Sequence, residues 1–146
     1  MSGQHRPILI VDDSDEDNEL IVRALRSMPM GNELIVLNDG AEVLDWLHRR
    51  ERFASRAQAD PVLIMLDVKM PKVDGIEVVR QVKSSPTLKC IPIVMMTSSD
   101  LDRDIIESYE LGANAYVVKP VEMDKFLQAV RQIAAFWVVL NRPKPD

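Results

Sequence analysis

The amino-acid sequence predicts an α/β fold, a doubly wound parallel sheet of five strands flanked by five helices. Five short apolar runs alternate with five stretches whose apolar residues recur at helical spacing. The central run, residues 62–66, contains no polar residue, which is typical of a strand covered on both faces. Four of the five runs end in residues that can carry chemistry. Ligands of open parallel sheets bind outside the carboxyl ends of the strands, so these ends are the candidate site.

The first half of the chain contains two strand–helix units. Residues 8–11 are predicted as the first strand, and Ser14 can cap the helix that follows, because a serine hydroxyl accepts from the backbone at a helix start. The apolar residues of that helix share one face: Leu20, Ile21, Ala24, Leu25 and Met28. Residues 34–37 are predicted as the second strand. Asp39 is the predicted cap of a helix with these apolar residues: Val43, Leu44, Trp46 and Leu47.

The second half of the chain contains three more strands and helices. Residues 51–60 are mostly polar and are predicted as a surface connection to the central strand. Strands are then predicted at residues 62–66, 91–96 and 115–118. Helices follow the strands, one of them carrying Ile76, Val79 and Val82, one at 100–111 before Gly112, and one at 122–140.

The pattern predicts one domain over residues 1–146, with a core from 7 to 140 and a flexible tail at 141–146. The order 2-1-3-4-5, called flavodoxin-like, is one common arrangement of such a sheet and is the one we expect.

Composition narrows the class of protein. The chain has 146 residues, of which 47% are apolar and 28% charged, as in an ordinary soluble domain. The net charge of −5 argues against direct nucleic-acid binding. The single cysteine, Cys90, is expected to be a partly buried thiol and fits a reducing compartment. Neither a signal peptide nor a run approaching the ~20 apolar residues of a membrane span is present, so we expect a cytoplasmic protein without membrane contact.

The strand ends bring three carboxylates and one ammonium together. Asp12 and Asp13 follow the first strand, Asp67 the central one and Lys119 the last. One ammonium leaves about two negative charges uncompensated, a deficit that a divalent cation fits. Oxygen ligands favour Mg²⁺, Mn²⁺ or Ca²⁺ over zinc.

These groups suit phosphoryl transfer to a carboxylate. Asp67 stands alone on the central strand and is the best nucleophile, although a strand-end aspartate can also serve only as a helix cap. Lys119 and a metal would neutralise the phosphoryl oxygens, and Thr97, at the end of the fourth run, would hydrogen-bond one of them.

In these motifs the chain resembles a bacterial response-regulator receiver domain. The resemblance covers residues 7 to about 135 and rests on four motifs in order: Ile-Val-Asp12-Asp13, Leu-Asp67-x-x-Met70-Pro71-x-x-Asp74-Gly75, Met-Thr97-Ser98 and Ala115-Tyr116-Val-Val-Lys119-Pro120. It implies that Asp67 is the phosphoacceptor and that Mg²⁺ is held by the side chains of Asp12, Asp13 and Asp67 and by the backbone carbonyl of Lys69.

The resemblance also implies a switch and partners. Thr97 and Lys119 would contact the phosphoryl group, Tyr116 would turn inward on activation, and the Lys119–Pro120 peptide would be cis. A sensor histidine kinase would be the donor. The long connection at residues 50–60 and the C-terminal segment Phe136-Trp137…Asn141-Arg-Pro are similar to those of regulators paired with phytochrome-type kinases. We expect a receiver without an attached output domain, which signals through protein contacts.

The end of the last helix suggests a dimer. Residues 133–140 are apolar on every side, and a helix that is apolar all round needs a second cover. The chain's own sheet could supply it, but aromatic anchors favour an interface. We therefore expect a homodimer through Phe136, Trp137 and Leu140.

Two alternatives remain open. Asp13-Ser-Asp15 resembles the Asp-x-Asp start of haloacid-dehalogenase-like phosphatases, although Asp17 stands where that motif has Thr or Val and no cap domain is evident. The other alternative is a receiver-like binding module that works without phosphorylation.

Overall fold

The computed structural model describes residues 6–145, so the two ends of the predicted 1–146 domain lie outside the described residues. A single sheet of five parallel strands has the order β2-β1-β3-β4-β5, which confirms the predicted fold. The strands are β1 (Ile8–Val11), β2 (Leu34–Leu37), β3 (Leu63–Leu66), β4 (Ile93–Thr97) and β5 (Ala115–Val118). The helices are α1 (Asp15–Arg26), α2 (Gly40–Leu47), α3 (Gly75–Lys83), α4 (Asp102–Leu111) and α5 (Met123–Ala134).

The sheet separates two apolar layers. Every residue of β1, β3 and β4 is buried, because helices cover both faces of these central strands. Residues of α2 and α3 pack on one face, and residues of α1 and α5 pack on the other. Alternate side chains of a strand point to opposite faces, so Leu9 joins the first layer and Ile8 and Ile10 join the second.

Short polar residues begin three of the helices. The side chains of Ser14, Asp39 and Asp74 accept from backbone N–H groups in the first turns of α1, α2 and α3, at 3.2, 2.8 and 2.9 Å. The predicted caps of α1 and α2 are thereby confirmed, and Asp74 caps α3 in the same way. Gly112 ends α4 with φ of +111°, a left-handed conformation that glycine adopts without strain.

The connection at residues 51–60 is tied to α2 by Arg56. A short 3₁₀ turn, Glu51–Phe53, opens it, and the Arg56 side chain is buried behind it. The Arg56 guanidinium stacks 3.9 Å above the Trp46 ring and donates to the Trp46 carbonyl oxygen at 2.8 Å. An ion pair with Asp60 at 2.9 Å completes the anchor, so this polar stretch is ordered rather than loose.

Two expectations are corrected. Every peptide bond within residues 6–145 is trans, including Lys119–Pro120, which is the intrinsically preferred form by ~0.5–1 kcal/mol. The trans bond still lets the Lys119 N–H donate to the Thr97 carbonyl oxygen at 2.7 Å. Cys90 is exposed rather than partly buried, because it lies in the turn just before the buried residues that lead into β4.

The last helix also changes character. Regular α-helix ends at Ala134, and a π-helical segment, Ala135–Leu140, continues it. Val138 is buried in the chain's own core and Trp137 packs partly against it, whereas Phe136 and Leu140 are 50% and 69% exposed. No helix among the described residues is long and apolar enough to cross a membrane.

Candidate functional site

The carboxyl ends of the strands meet at one edge of the sheet. Asp12 follows β1 and Asp67 follows β3, and these strands are paired directly. One carboxylate oxygen each from Asp12, Asp13 and Asp67 lies within 4.8 Å of the others. Asp12 and Asp67 are buried, while Asp13 is exposed. The structure thus brings together the three carboxylates that were predicted from different segments of the chain.

Lys119 reaches these carboxylates from the end of β5. Its Nζ lies 2.5 Å from Asp12 Oδ2 and 3.5 Å from Asp67 Oδ2, and its side chain is only 7% exposed. A third partner is Asp17, whose Oδ2 is 2.8 Å from the same nitrogen. The sequence analysis missed Asp17. Its position on the first turn of α1, just above the end of β1, was the available signal.

Burial and charge shift the ionisation of the pair at the centre of the site. Burial raises the pKa of Asp12 to about 6, against the opposing effect of hydrogen bonds from Lys119 and the Ser14 N–H. Burial alone would lower the pKa of Lys119, but the hydrogen bonds to Asp12 and Asp17 raise it above its usual value. Lys119 is therefore charged at every physiological pH. The charged form of Asp12, by contrast, is less stable in the folded protein than in water.

This shift predicts that Asp12→Asn stabilises the metal-free protein at pH 7.5. An aspartate in an unfolded chain has a pKa of 3.8, below the folded value, so ionisation of Asp12 lowers the free energy of unfolding as pH rises through this interval. Asparagine can still accept hydrogen bonds, but it no longer offers Lys119 a charged partner, which offsets part of the gain. We therefore expect the free energy of unfolding at pH 7.5 to rise by about 1 kcal/mol.

Urea unfolding in EDTA measures this gain. It should shrink as the pH falls from 7.5 towards 5, since the wild-type carboxyl then binds its proton. A D12N variant that is less stable than the wild type at pH 7.5 would contradict the assignment.

A backbone hydrogen bond holds one carboxylate oxygen of Asp67. Its Oδ1 accepts from the Val68 N–H at 2.7 Å, and its Oδ2 faces Lys119. The backbone of Gly75 lies close to that of Asp67, and a Cβ at Gly75 would be 2.0 Å from the Asp67 carbonyl oxygen. Glycine at this position is thus required for the β3–α3 loop to close beside the candidate nucleophile.

The donor set fits a divalent cation. Three carboxylates against one ammonium leave excess negative charge, and all the side-chain ligands are oxygen atoms, which favours Mg²⁺ or Mn²⁺. Asp12, Asp13 and Asp67 would hold it, and when bound it would neutralise charge on a transferring phosphoryl group. Lys69 lies two residues beyond Asp67 in the same loop, with its side chain exposed.

A hydrogen-bonded group centred on Ser99 links the site to β5 and α4. The Ser99 N–H donates to Thr97 Oγ1 at 3.2 Å, and the hydroxyl of Tyr116 donates to the Ser99 carbonyl oxygen at 2.9 Å. The Ser99 hydroxyl donates to Asp104, a buried carboxylate at the start of α4, at 2.6 Å. Burial raises the pKa of Tyr116, so its hydroxyl stays protonated as a donor. The sequence analysis did not anticipate Asp104 here.

Residues 8–131 match the response regulator receiver domain family, and the chain belongs to that family. The protein is therefore a phosphoacceptor domain of two-component signalling, not an enzyme of the haloacid-dehalogenase-like phosphatase class. This membership confirms the class inferred from the four motifs.

A response regulator is similar to this chain over almost its whole length. The chain is 36% identical over 141 residues to the response regulator Rcp1 of Synechocystis sp., covering 94% of this chain and 95% of Rcp1. The Mn²⁺-bound structure of Rcp1 has a TM-score of 0.90 at 34% identity, over 96% of this chain and 99% of that one.

Two other solved structures are similar to this chain. The phosphorylated cyanobacterial phytochrome response regulator RcpA has a TM-score of 0.91 at 35% identity, covering 97% of this chain and 99% of RcpA. The bacteriophytochrome response regulator RtBRR is 50% identical with a TM-score of 0.75, covering 96% of this chain and 84% of RtBRR.

Proposed function

We propose that Asp67 accepts the phosphoryl group and that Mg²⁺ is the cation that supports the transfer. The observation that carries this proposal is the convergence of Asp12, Asp13 and Asp67 within 4.8 Å, with the ammonium of Lys119 3.5 Å from Asp67. Rcp1, at 36% identity, has been solved with Mn²⁺, an ion that prefers the same oxygen ligands.

The transfer requires one bond to form and one to break. Asp67 Oδ2 attacks the phosphorus of the donor, and the bond from phosphorus to the donor's leaving atom breaks with its electron pair. That atom is the imidazole nitrogen of a phosphohistidine, which then takes up a proton, or the acetate oxygen of acetyl phosphate. Lys119 neutralises a phosphoryl oxygen, and Thr97 Oγ1 donates to another once its hydroxyl turns towards Asp67.

The group centred on Ser99 is the proposed route from the site to the surface. Thr97 and Tyr116 are both bonded to Ser99, so movement of the Thr97 hydroxyl towards the phosphoryl group disturbs the contact that holds Tyr116. The phosphoryl group adds about −1.5 to −2 charge, enough to bias two packings of this region. We expect the face formed by α4, β5 and α5 to present the change to a partner.

The donor is proposed to be a sensor histidine kinase of the phytochrome type. The support is the similarity to RcpA, a phytochrome response regulator, and RtBRR, a bacteriophytochrome response regulator, over at least 96% of this chain. Such transfer takes place in the cytoplasm, where the exposed thiol of Cys90 stays reduced. Direct nucleic-acid and membrane contacts form no part of the proposal.

The last helix is proposed as a homodimer contact. Phe136 and Leu140 are 50% and 69% exposed on the π-helical segment, and Val139 beside them is 62% exposed, which makes an apolar patch. Trp137 contributes less than expected because it packs partly against its own core. We therefore assign the contact mainly to Phe136 and Leu140.

One experiment tests the transfer and the assembly together. The wild type is incubated with Mg²⁺ and acetyl phosphate and followed by intact mass and light scattering. We expect one phosphoryl increment per chain and a dimer mass, and Phe136→Ser combined with Leu140→Ser should keep the increment while giving a monomer. A wild type without the increment would contradict the transfer and support a module that works without phosphate. A monomeric wild type in both states would contradict the dimer.

A further inference from the structure

The contact between Asp17 and Lys119 has no part in the transfer described above. The Asp17 carboxylate is 2.8 Å from Lys119 Nζ, closer than Asp67 at 3.5 Å. In the unphosphorylated protein, the ammonium that must serve the phosphoryl group is therefore already bonded to a carboxylate of α1.

Helix stability does not require the Asp17 side chain. The cap of α1 is the Ser14 hydroxyl, which accepts from the backbone N–H of Asp17, not from its side chain. Negative charge at the helix N-terminus is supplied also by Asp15 and Glu16 in the same turn. The Asp17 side chain is 30% exposed, so its loss leaves no cavity in the core.

Lys119 does not need Asp17 to stay in place. Its side chain is 7% exposed, and it keeps its shorter bond of 2.5 Å to Asp12. Asp17 is therefore not needed to position Lys119. It adds negative charge to the site and competes with the phosphoryl group for the Lys119 ammonium. Lys119 thus faces three carboxylates, those of Asp12, Asp17 and Asp67. A dianionic phosphoryl group on Asp67 must compete with Asp12 and Asp17 for this ammonium.

We propose that Asp17 is a positioning residue that acts through Lys119: it retains the ammonium in the unphosphorylated protein and thereby slows phosphorylation of Asp67. The inference rests on the proposed function. A residue of α1 thereby slows the reaction, because Lys119 can bind the phosphoryl group fully only when its hydrogen bond to Asp17 is broken.

Asp17→Asn removes the charge and keeps the shape of the side chain, so it is the variant of choice. Phosphorylation by acetyl phosphate is followed by intact mass at Mg²⁺ concentrations saturating for each protein, with donor below saturation. We expect an initial rate about two- to tenfold above the wild type, the range of a partly exposed ion pair. The affinity for beryllium trifluoride, a phosphoryl mimic, should rise by a similar factor.

Two further variants separate this role from a structural one. Asp17→Glu keeps the charge within reach of Lys119 and should restore the slow wild-type rate. Glu16→Gln removes a charge from the same helical turn without touching Lys119 and should leave the rate near that of the wild type.

The outcomes are distinguishable. A D17N protein that is phosphorylated no faster than the wild type, or an E16Q protein that gains as much, would overturn the inference alone. A wild type that takes no phosphoryl group contradicts the proposed function, and the inference falls with it.

Discussion

Asp67→Asn is expected to lower the rate of phosphorylation by at least about a hundredfold, because an amide oxygen is a far weaker nucleophile than a carboxylate. The fold should persist, since asparagine can still accept from the Val68 N–H that now bonds Asp67 Oδ1 at 2.7 Å. Intact mass after incubation with Mg²⁺ and acetyl phosphate, with circular dichroism on the same samples, measures both expectations.

Asp100→Asn is the matched control. It removes one exposed carboxylate from the β4–α4 loop, beside the site but outside the cluster of three, and should leave the phosphoryl increment unchanged. Peptide mapping should place the wild-type increment on the peptide containing Asp67. A phosphoryl group that persists on the D67N protein at another residue would refute the acceptor assignment and redirect attention to Asp12 or Asp13.

Mg²⁺ is expected to stabilise the wild-type protein, and Asp13→Asn should remove most of that effect. The cation compensates three carboxylates that lie within 4.8 Å, so it binds the folded chain and not the unfolded one. At ten times its dissociation constant a ligand adds about 1.4 kcal/mol, or about 4–7 °C in the melting temperature of a domain of this size.

Asp13 is the informative position because it is exposed, so its substitution disturbs no buried contact. Melting in EDTA and in increasing Mg²⁺ gives the measurement, and Asp15→Asn, two residues along and outside the cluster, is the control. Equal Mg²⁺ shifts in wild-type and D13N proteins would contradict the proposed ligand set. A rise in the melting temperature with Ca²⁺ or Mn²⁺ but not with Mg²⁺ would contradict the choice of Mg²⁺ and still support the ligand set.

Local signals explain why so much of the fold was predictable. The boundaries of β1, β2 and β5 match those expected, since each is an uninterrupted apolar run between polar residues. The predicted caps Ser14 and Asp39 were also correct, because capping is decided within four residues of sequence. The cis form of Lys119–Pro120 and the burial of Cys90 depend on distant packing, and both predictions were wrong.

The sequence alone determined the class of fold and the set of reactive groups at the strand ends. Periodicity defines strands and helices, and parallel strands must place their carboxyl ends at one edge. The tertiary structure decided which groups meet there. Lys119 crosses from β5 to bond with Asp12 and Asp17, more than a hundred positions earlier in the chain, and Ser99 joins Tyr116 to Asp104. Such contacts follow from strand order and side-chain reach, which no local pattern encodes.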